Sequence, residues 1–287
     1  MLYRLPESER VCSGICMLHK VVQLGGKSYF WLEKTNVVSM IQEYQVSGFR
    51  VREYEELGST NTEAERVGWS ELEDKMVILT YRQTQGRGQV GNHWESEPGK
   101  NISMTVVFKP RELPAGQQFA VSMVIALGTY DFISRYVGEC SVKWPNDIYV
   151  GDRKISGILI EHSIMGRYVG GSLCGIGVNI NQERFLSDAP NPVSLFQLIG
   201  EEIPVERALE ELLDCIGKRY EMIRDYEGLE RDFLKVLYRR EGVYDWEDER
   251  GIFRASIRGV NEFGQLVLED VEGNERVYGF KEISYKF

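Results

Sequence analysis

Two apolar runs, residues 76–79 and residues 102–108, bracket a segment that no ordinary turn accounts for. Both runs are built from β-branched and long aliphatic side chains, and the second is closed by Lys109 and Pro110, as expected of buried strands. Between them lie Gly86, Gly88, Gly91 and Gly99, with Gln83, Gln85, Arg87, Gln89 and Trp94 interspersed. A connection this long within a domain is usually functional or disordered. Glycines let backbone N–H groups approach a ligand closely, and Arg87 adds a planar cation suited to a carboxylate or phosphate. The bland alternative is a flexible hairpin connection. Gly86, Gly88 and Gly91 also satisfy a GxGxxG dinucleotide pattern, but that pattern needs a helix to open at its third glycine. Here Pro98-Gly99 punctuates a turn before the next strand. The segment reads as a strand-loop-strand anion cradle.

The totals narrow the class. A chain of 287 residues, 43% hydrophobic and 27% charged, is long enough for a sizeable core and is best divided into one large and one small domain. A net charge of −10 argues against whole-molecule attraction to nucleic acid, so DNA is not expected as a partner. Five cysteines (Cys12, Cys16, Cys140, Cys174, Cys215) without framework spacing point to a reducing, cytoplasmic setting. Cys12, Cys16 and His19 crowd together, yet a structural zinc site needs four ligands and no fourth lies nearby. Metal ligands stay unassigned. Neither a secretory leader nor a bilayer-spanning run is present, so no membrane partner is expected.

Along the chain, residues 1–48 form an N-terminal appendage of unknown role, with a hairpin around Gly25-Gly26 and a short helix at residues 37–44. No pair of helices of the helix-turn-helix kind is found there. Residues 49–57 read as a strand. Ser59, Thr60 and Asn61 then open a helix, in which Thr60 and Glu63 fit a capping box; such an N-terminus also suits polar ligand groups. Residues 117–137 and 204–225 read as helices with broad apolar faces, and residues 229–237 as a further helix. Pro145 interrupts a strand and places Lys143, Asn146 and Asp147 at its edge. Lys154 opens an otherwise apolar strand, a costly place for an amine unless an anion sits there or the stem reaches solvent. Gly170, Gly171, Gly175 and Gly177 strip side chains from the following strand, as if something lies against its backbone. From Gly242 the period changes to two, with short strands separated by Gly251, Gly264 and Gly273, which predicts a small β-barrel.

In order, Gly58-Ser-Thr-Asn61, Gln83-Thr-Gln-Gly-Arg-Gly88 with Trp94, Lys143-Trp-Pro-Asn-Asp147, residues 153–161 (RKISGILIE) and residues 175–181 (GIGVNIN) resemble a biotin protein ligase. Each motif alone is weak; five in sequence are specific, and the resemblance runs from about Phe49 to the C-terminus. It implies an α+β fold: a class II synthetase-like mixed sheet flanked by helices over residues 49–237, and an SH3-like barrel over residues 238–287. It implies that biotin and MgATP give biotinyl-5′-AMP, from which biotin passes to a lysine of a biotin carboxyl carrier protein or domain. By motif, Arg87 and Lys154 would be catalytic. Ser59, Thr60, Asn61, Gln83, Arg87, Gly88, Gln89, Lys154, Gly157, Gly175 and Gly177 would hold biotin, and Trp94, Lys143, Asn146 and Asn179 the nucleotide. The chemistry suits those types, since a carboxylate and a triphosphate must be brought together against their repulsion, which calls for Arg, Lys and Mg²⁺.

Many members continue the glycine-rich loop with arginines where this chain has Gln89, Val90 and Asn92, a departure that bears on how tightly the adenylate is held. Residues 1–50 do not match the winged helix of two-function members, so repression is not expected. A homodimer is compatible with the sequence. The rival readings are a lipoate or octanoate ligase or transferase of the same superfamily, and a biotin-sensing DNA-binding regulator without enzymatic activity.

Overall fold

The computed structural model describes residues 19–24, 27–32, 39–89, 92–187 and 189–286. Cys12, Cys16, Val90 and Gly91 lie outside these residues, and with them the crowded cysteine pair and the third glycine of the GxGxxG pattern. Two units result, divided after Ser39. The first contains the antiparallel hairpin β1 (His19–Leu24) and β2 (Lys27–Leu32), where a hairpin was expected.

The second unit begins with β3 (Met40–Val46), where the sequence reading placed a helix through residue 44. The strand prevails because Ser47 and Gly48 both adopt positive φ, 50° and 79°, the two-residue turn that folds one strand back on the next. β3 thus pairs with β4 (Phe49–Tyr54) and joins the main sheet rather than the appendage.

That sheet has eight strands in the order β3-β4-β5-β8-β12-β11-β10-β9. Its further members are β5 (Met76–Thr80), β8 (Ile102–Phe108), β9 (Cys140–Lys143), β10 (Asp147–Val150), β11 (Arg153–Met165) and β12 (Tyr168–Val178). Every neighbouring pair is antiparallel except β4 with β5, so the sheet is mixed, as expected. Strand periodicity divides its two faces. Across β11, β12 and β8, Ile158-Ile176-Met104 and Ile160-Cys174-Val106 align on one face and belong to the main core. The intervening rows, Gly157-Gly177-Ser103 and Leu159-Gly175-Thr105, lie on the other face. The first face is apolar; the second is small and polar.

Helices α2 (Phe119–Ile133) and α4 (Val205–Tyr220) pack closely, with a Cβ at Gly128 meeting the backbone of Ile216 at 2.7 Å. Phe108 stacks on Tyr220 at 3.9 Å, which places α4 on the apolar face. α2 is shorter than expected, since residues beyond Ile133 continue only as turns. α3 (Leu195–Ile199) is short, and α5 (Tyr226–Lys235) starts where Asp225 accepts the Gly228 N–H. On the opposite face sits α1 (Thr60–Val67), against β5, β8 and β12.

The C-terminal part of the second unit is a separate antiparallel sheet in the order β16-β15-β14-β13-β17. Its strands are β13 (Tyr244–Asp248), β14 (Gly251–Val260), β15 (Leu266–Asp270), β16 (Glu275–Tyr278) and β17 (Ser284–Tyr285), packed around the fully buried Trp246. The expected C-terminal β-structure is present as this sheet, and among the described residues no ladder joins its two edge strands, β16 and β17.

Candidate functional site

The polar face acquires its chemistry from two long-range registers. Parallel pairing of β4 with β5 aligns Tyr54 with Thr80, and the same register continues past the strands to a bridge between Leu57 and Gln83. Gln85 N–H donates to Gly58 O at 2.7 Å. The Gly58–Asn61 segment and the segment from Gln83 onward, 25 residues apart at Gly58 and Gln83, are thereby laid side by side. Thr60 N–H donates to Gln83 Oε1 at 3.0 Å. This replaces the predicted capping box: the N-cap residue Ser59 makes no side-chain cap bond, and Glu63 is held by Arg66 instead.

The glycine-rich loop folds back on itself, with β6 (Gly86–Arg87) pairing with β7 (His93–Trp94). Trp94 is thereby laid across the row of small residues. A Cβ at Gly157 would lie 2.8 Å from the indole and one at Gly177 would collide with it, so the absence of side chains on β11 and β12 is what admits the ring. The indole N–H of Trp94 is buried and has no hydrogen-bond partner among the described residues. Such an atom is costly unless a ligand or water satisfies it.

A cavity of about 140 Å³ lies beneath this loop. All residues expected to hold biotin line it: Ser59, Thr60, Asn61, Gln83, Arg87, Gly88, Gln89, Lys154, Gly157, Gly175 and Gly177. Trp94 lines it as well. The volume is below the ~300 Å³ of a usual ligand pocket, as fits a cleft across which Trp94 lies. Arg87 and Lys154 thus share one cavity with Thr60.

Both cations have carboxylate partners. Lys154 Nζ stands 2.5 Å from Asp147 Oδ2, the anion that a lysine at the start of an apolar strand requires, and 5.9 Å from the Trp94 ring centroid. Arg87 bridges Glu161 at 2.9 Å and Glu65 at 3.1 Å. Arg87 is 39% exposed and Lys154 30%, and ion pairs in such settings are worth ~0–1 kcal/mol. Exchanging Asp147 or Glu65 for the oxygens of an anionic ligand therefore costs little.

Lys143, Asn146 and Asn179, expected at the nucleotide, do not line this cavity. Asn146 lines a neighbouring cleft of about 530 Å³, which shares Gln89, Ile158 and Leu159 with the first and is bordered by Phe263 and Phe280 from the C-terminal part of the chain. Lys143 lies 4.8 Å from the ring of Tyr149 and 4.9 Å from that of Tyr285, and its burial lowers its pKa. Asn179 donates to Val193 O at 3.0 Å, and the Oδ1 atoms of both Asn146 and Asn179 are buried without a partner among the described residues. Trp144 is tied to the C-terminal sheet region by the 2.9 Å bond that its indole N–H donates to Gly264 O. The sequence reading gave no site role to Asn92, His93, Asp147, Ile158, Leu159 or Ile176, all of which line the smaller cavity. Asp147 carried a signal, standing in the motif at the strand edge. The hairpin return that brings in Asn92 and His93 carried none.

Comparison with known proteins yields a consistent set of relatives. A model of the biotin/lipoate A/B protein ligase family matches residues 55–179. The biotin–[acetyl-CoA-carboxylase] ligase of Paracoccus denitrificans is 36% identical over 235 residues, 76% of this chain and 93% of that protein. The bifunctional ligase/repressor BirA of Bacillus subtilis is 27% identical over 245 residues, 82% of this chain and 74% of the relative. Among solved structures, the biotin protein ligase of Aquifex aeolicus in complex with biotin and ATP is similar in fold, with a TM-score of 0.68 at 22% identity, covering 82% of this chain and 98% of that one.

Proposed function

The chain belongs to the biotin protein ligase family, and from that premise we propose how its site works: it activates biotin with ATP to biotinyl-5′-AMP and passes biotin to a lysine of a biotin carboxyl carrier protein. The observation that carries the reading is that Arg87 and Lys154 meet in one cavity whose floor is the glycine row of β11 and β12.

Activation joins a carboxylate to the α-phosphorus of ATP, with pyrophosphate leaving. Two anions must approach, so positioned cations do the work and no side-chain nucleophile is needed. Lys154 leaves Asp147, and Arg87 leaves Glu65 while keeping its bond to Glu161, to face the biotin carboxylate and the phosphoryl oxygens. Ser59, Thr60, Asn61 and Gln83 offer neutral hydrogen-bonding groups to the ureido ring, which an apolar slot needs for orientation. Gly157, Gly175 and Gly177 leave room for the rings against the backbone, Gly88 lines the smaller cavity and Gln89 both cavities, and Trp94 covers the glycines, its free N–H available to the ligand. The nucleotide extends toward the larger cavity, which Asn146 lines; Lys143 and Asn179 line neither cavity.

The triphosphate would be bound together with Mg²⁺. No group of three or more candidate ligands occurs among the described residues. The free Oδ1 of Asn146 and the carboxylate of Asp147 fit such an ion and would hold it, and its chemistry would be to offset phosphate charge. The carrier lysine then attacks the mixed anhydride and AMP leaves.

No helix among the described residues is long and apolar enough to cross a membrane. The repressor half of the Bacillus protein's name is not extended to this chain, whose net charge of −10 opposes DNA. The test is pyrophosphate exchange with MgATP and either biotin or lipoate. Exchange with biotin is expected; exchange with lipoate alone overturns the assignment.

A further inference from the structure

Glu161 ends the motif that begins at Arg153, and nothing in the reaction above uses it. It stands on β11 opposite Leu173 of β12, in register with Gly157 and Leu159 and so on the polar face. Its two oxygens serve different elements. Oε1 accepts from the Arg87 guanidinium at 2.9 Å, and Oε2 accepts from the Asn61 side-chain amide at 2.8 Å. The other end of that amide is also engaged, the Thr105 hydroxyl donating to Asn61 Oδ1 at 2.5 Å.

We propose that Glu161 is a positioning residue for biotin binding, tying the glycine-rich loop through Arg87 to the start of α1 through Asn61. The inference rests on the ligase reading and deepens it. A carboxylate is acceptor-only at both oxygens, and both neighbours are donors. It therefore forces Nδ2 of Asn61 toward β11 and Oδ1 toward Thr105, choosing one of two amide orientations that are otherwise similar in shape. The same group holds Arg87 at the cavity wall from a rigid strand rather than from the loop that carries it. Glu65 and Thr62 of α1 also accept from Arg87, at 3.1 and 3.5 Å, and tie the loop to that helix directly, but neither side chain bonds the Asn61 amide among the described residues, so the orientation of that amide is left to Glu161. Support of a binding group by a hydrogen-bonded neighbour is how such sites hold geometry to a fraction of an ångström.

Glutamine is the discriminating substitute. It keeps size and reach but has one acceptor; whichever donor it satisfies, its NH₂ faces the other. For Glu161→Gln in the full chain, the KM for biotin in pyrophosphate exchange should rise about tenfold, the worth of one hydrogen bond to a charged group. The KM for ATP should stay within about twofold and the thermal midpoint within about 2 °C, as for a partly exposed polar exchange that keeps one of its two bonds. Glu65→Gln should raise the biotin KM less. A wild-type biotin KM in Glu161→Gln overturns the proposal, as does an equal rise for both substrates with a lowered midpoint, or an equal effect of Glu65→Gln. Wild-type protein run alongside separates the two readings: no biotin-dependent exchange there overturns the ligase assignment, whereas a flat variant beside an active wild type overturns only the role of Glu161.

Discussion

The side-chain oxygen of Gln83 accepts the backbone N–H of Thr60 at 3.0 Å, so the first turn of α1 is satisfied by a residue of the glycine-rich segment. A helix end is thereby fastened to the loop that borders the ligand cavity. Removing Gln83 should disturb stability and binding together. Gln83→Ala should cost about 1 kcal/mol, the usual worth of a lost N-terminal cap, and lower the thermal midpoint by about 2–4 °C. Gln83→Glu keeps an acceptor and adds a charge favoured at a helix N-terminus, so its midpoint should recover while its biotin KM stays raised. Calorimetry paired with exchange kinetics separates the two effects; equal midpoints for Ala and wild type would falsify the cap.

Trp94 against Gly177 leads to a steric prediction. Gly177→Ala places a methyl where the indole lies, and such overpacking costs about 1–3 kcal/mol when the ring cannot yield. The ring should be displaced and the biotin KM raised at least about tenfold. Adding Trp94→Phe supplies a smaller ring and should restore part of the midpoint. An unchanged KM in the single variant contradicts the close approach.

Arg87→Ala and Lys154→Ala should each lower adenylation about 10²- to 10³-fold, the scale of removing one donor from a preorganised charge-stabilising site. Their ion pairs are partly exposed and add little stability, so both midpoints should stay within about 2 °C of wild type. If both variants unfold while activity per folded molecule is intact, the two cations are structural.

Asp270 predicts an acid dependence of the C-terminal sheet. The backbone N–H of Asn274, aided by its side chain, by Arg276 and by the N–H of Glu272, lowers the Asp270 pKa from 3.8 to about 2. A carboxyl with a depressed folded-state pKa contributes stability that is fully present above the unfolded value and lost as pH falls through the folded one. Asp270→Asn should therefore be less stable than wild type above pH 3.8, with the gap closing as pH approaches 2. Thermal midpoints measured from pH 2 to 6 test this, and a gap independent of pH removes Asp270 as its cause.

Much of the site was legible before folding was considered, because glycines and lone cations in apolar strands are anomalies that local structure does not explain. Lys154 needed an anion, and Asp147 is there at 2.5 Å. The glycines of β12 needed something against the backbone, and Trp94 is there over Gly177. Where the reading erred, a nonlocal partner outbid a local one. Thr60 and Glu63 have capping-box spacing, yet Gln83 takes the Thr60 N–H and Arg66 takes the Glu63 carboxylate. Residues 40–44 looked helical, yet the turn at Ser47-Gly48 folds them onto β4.

The amino-acid sequence by itself determined which residues carry charge, which positions lack side chains, and which face of each strand is apolar, because these depend only on residue type and a period of two. Only tertiary structure decided which of them meet. The parallel register of β4 with β5 brings Gln83 to Thr60, and the antiparallel registers across β8, β12 and β11 set Ser103, Gly177 and Gly157 in one row. The physical reason is that register depends on burying the whole apolar face at once, and slipping one strand by a single residue would turn that face to the wrong side.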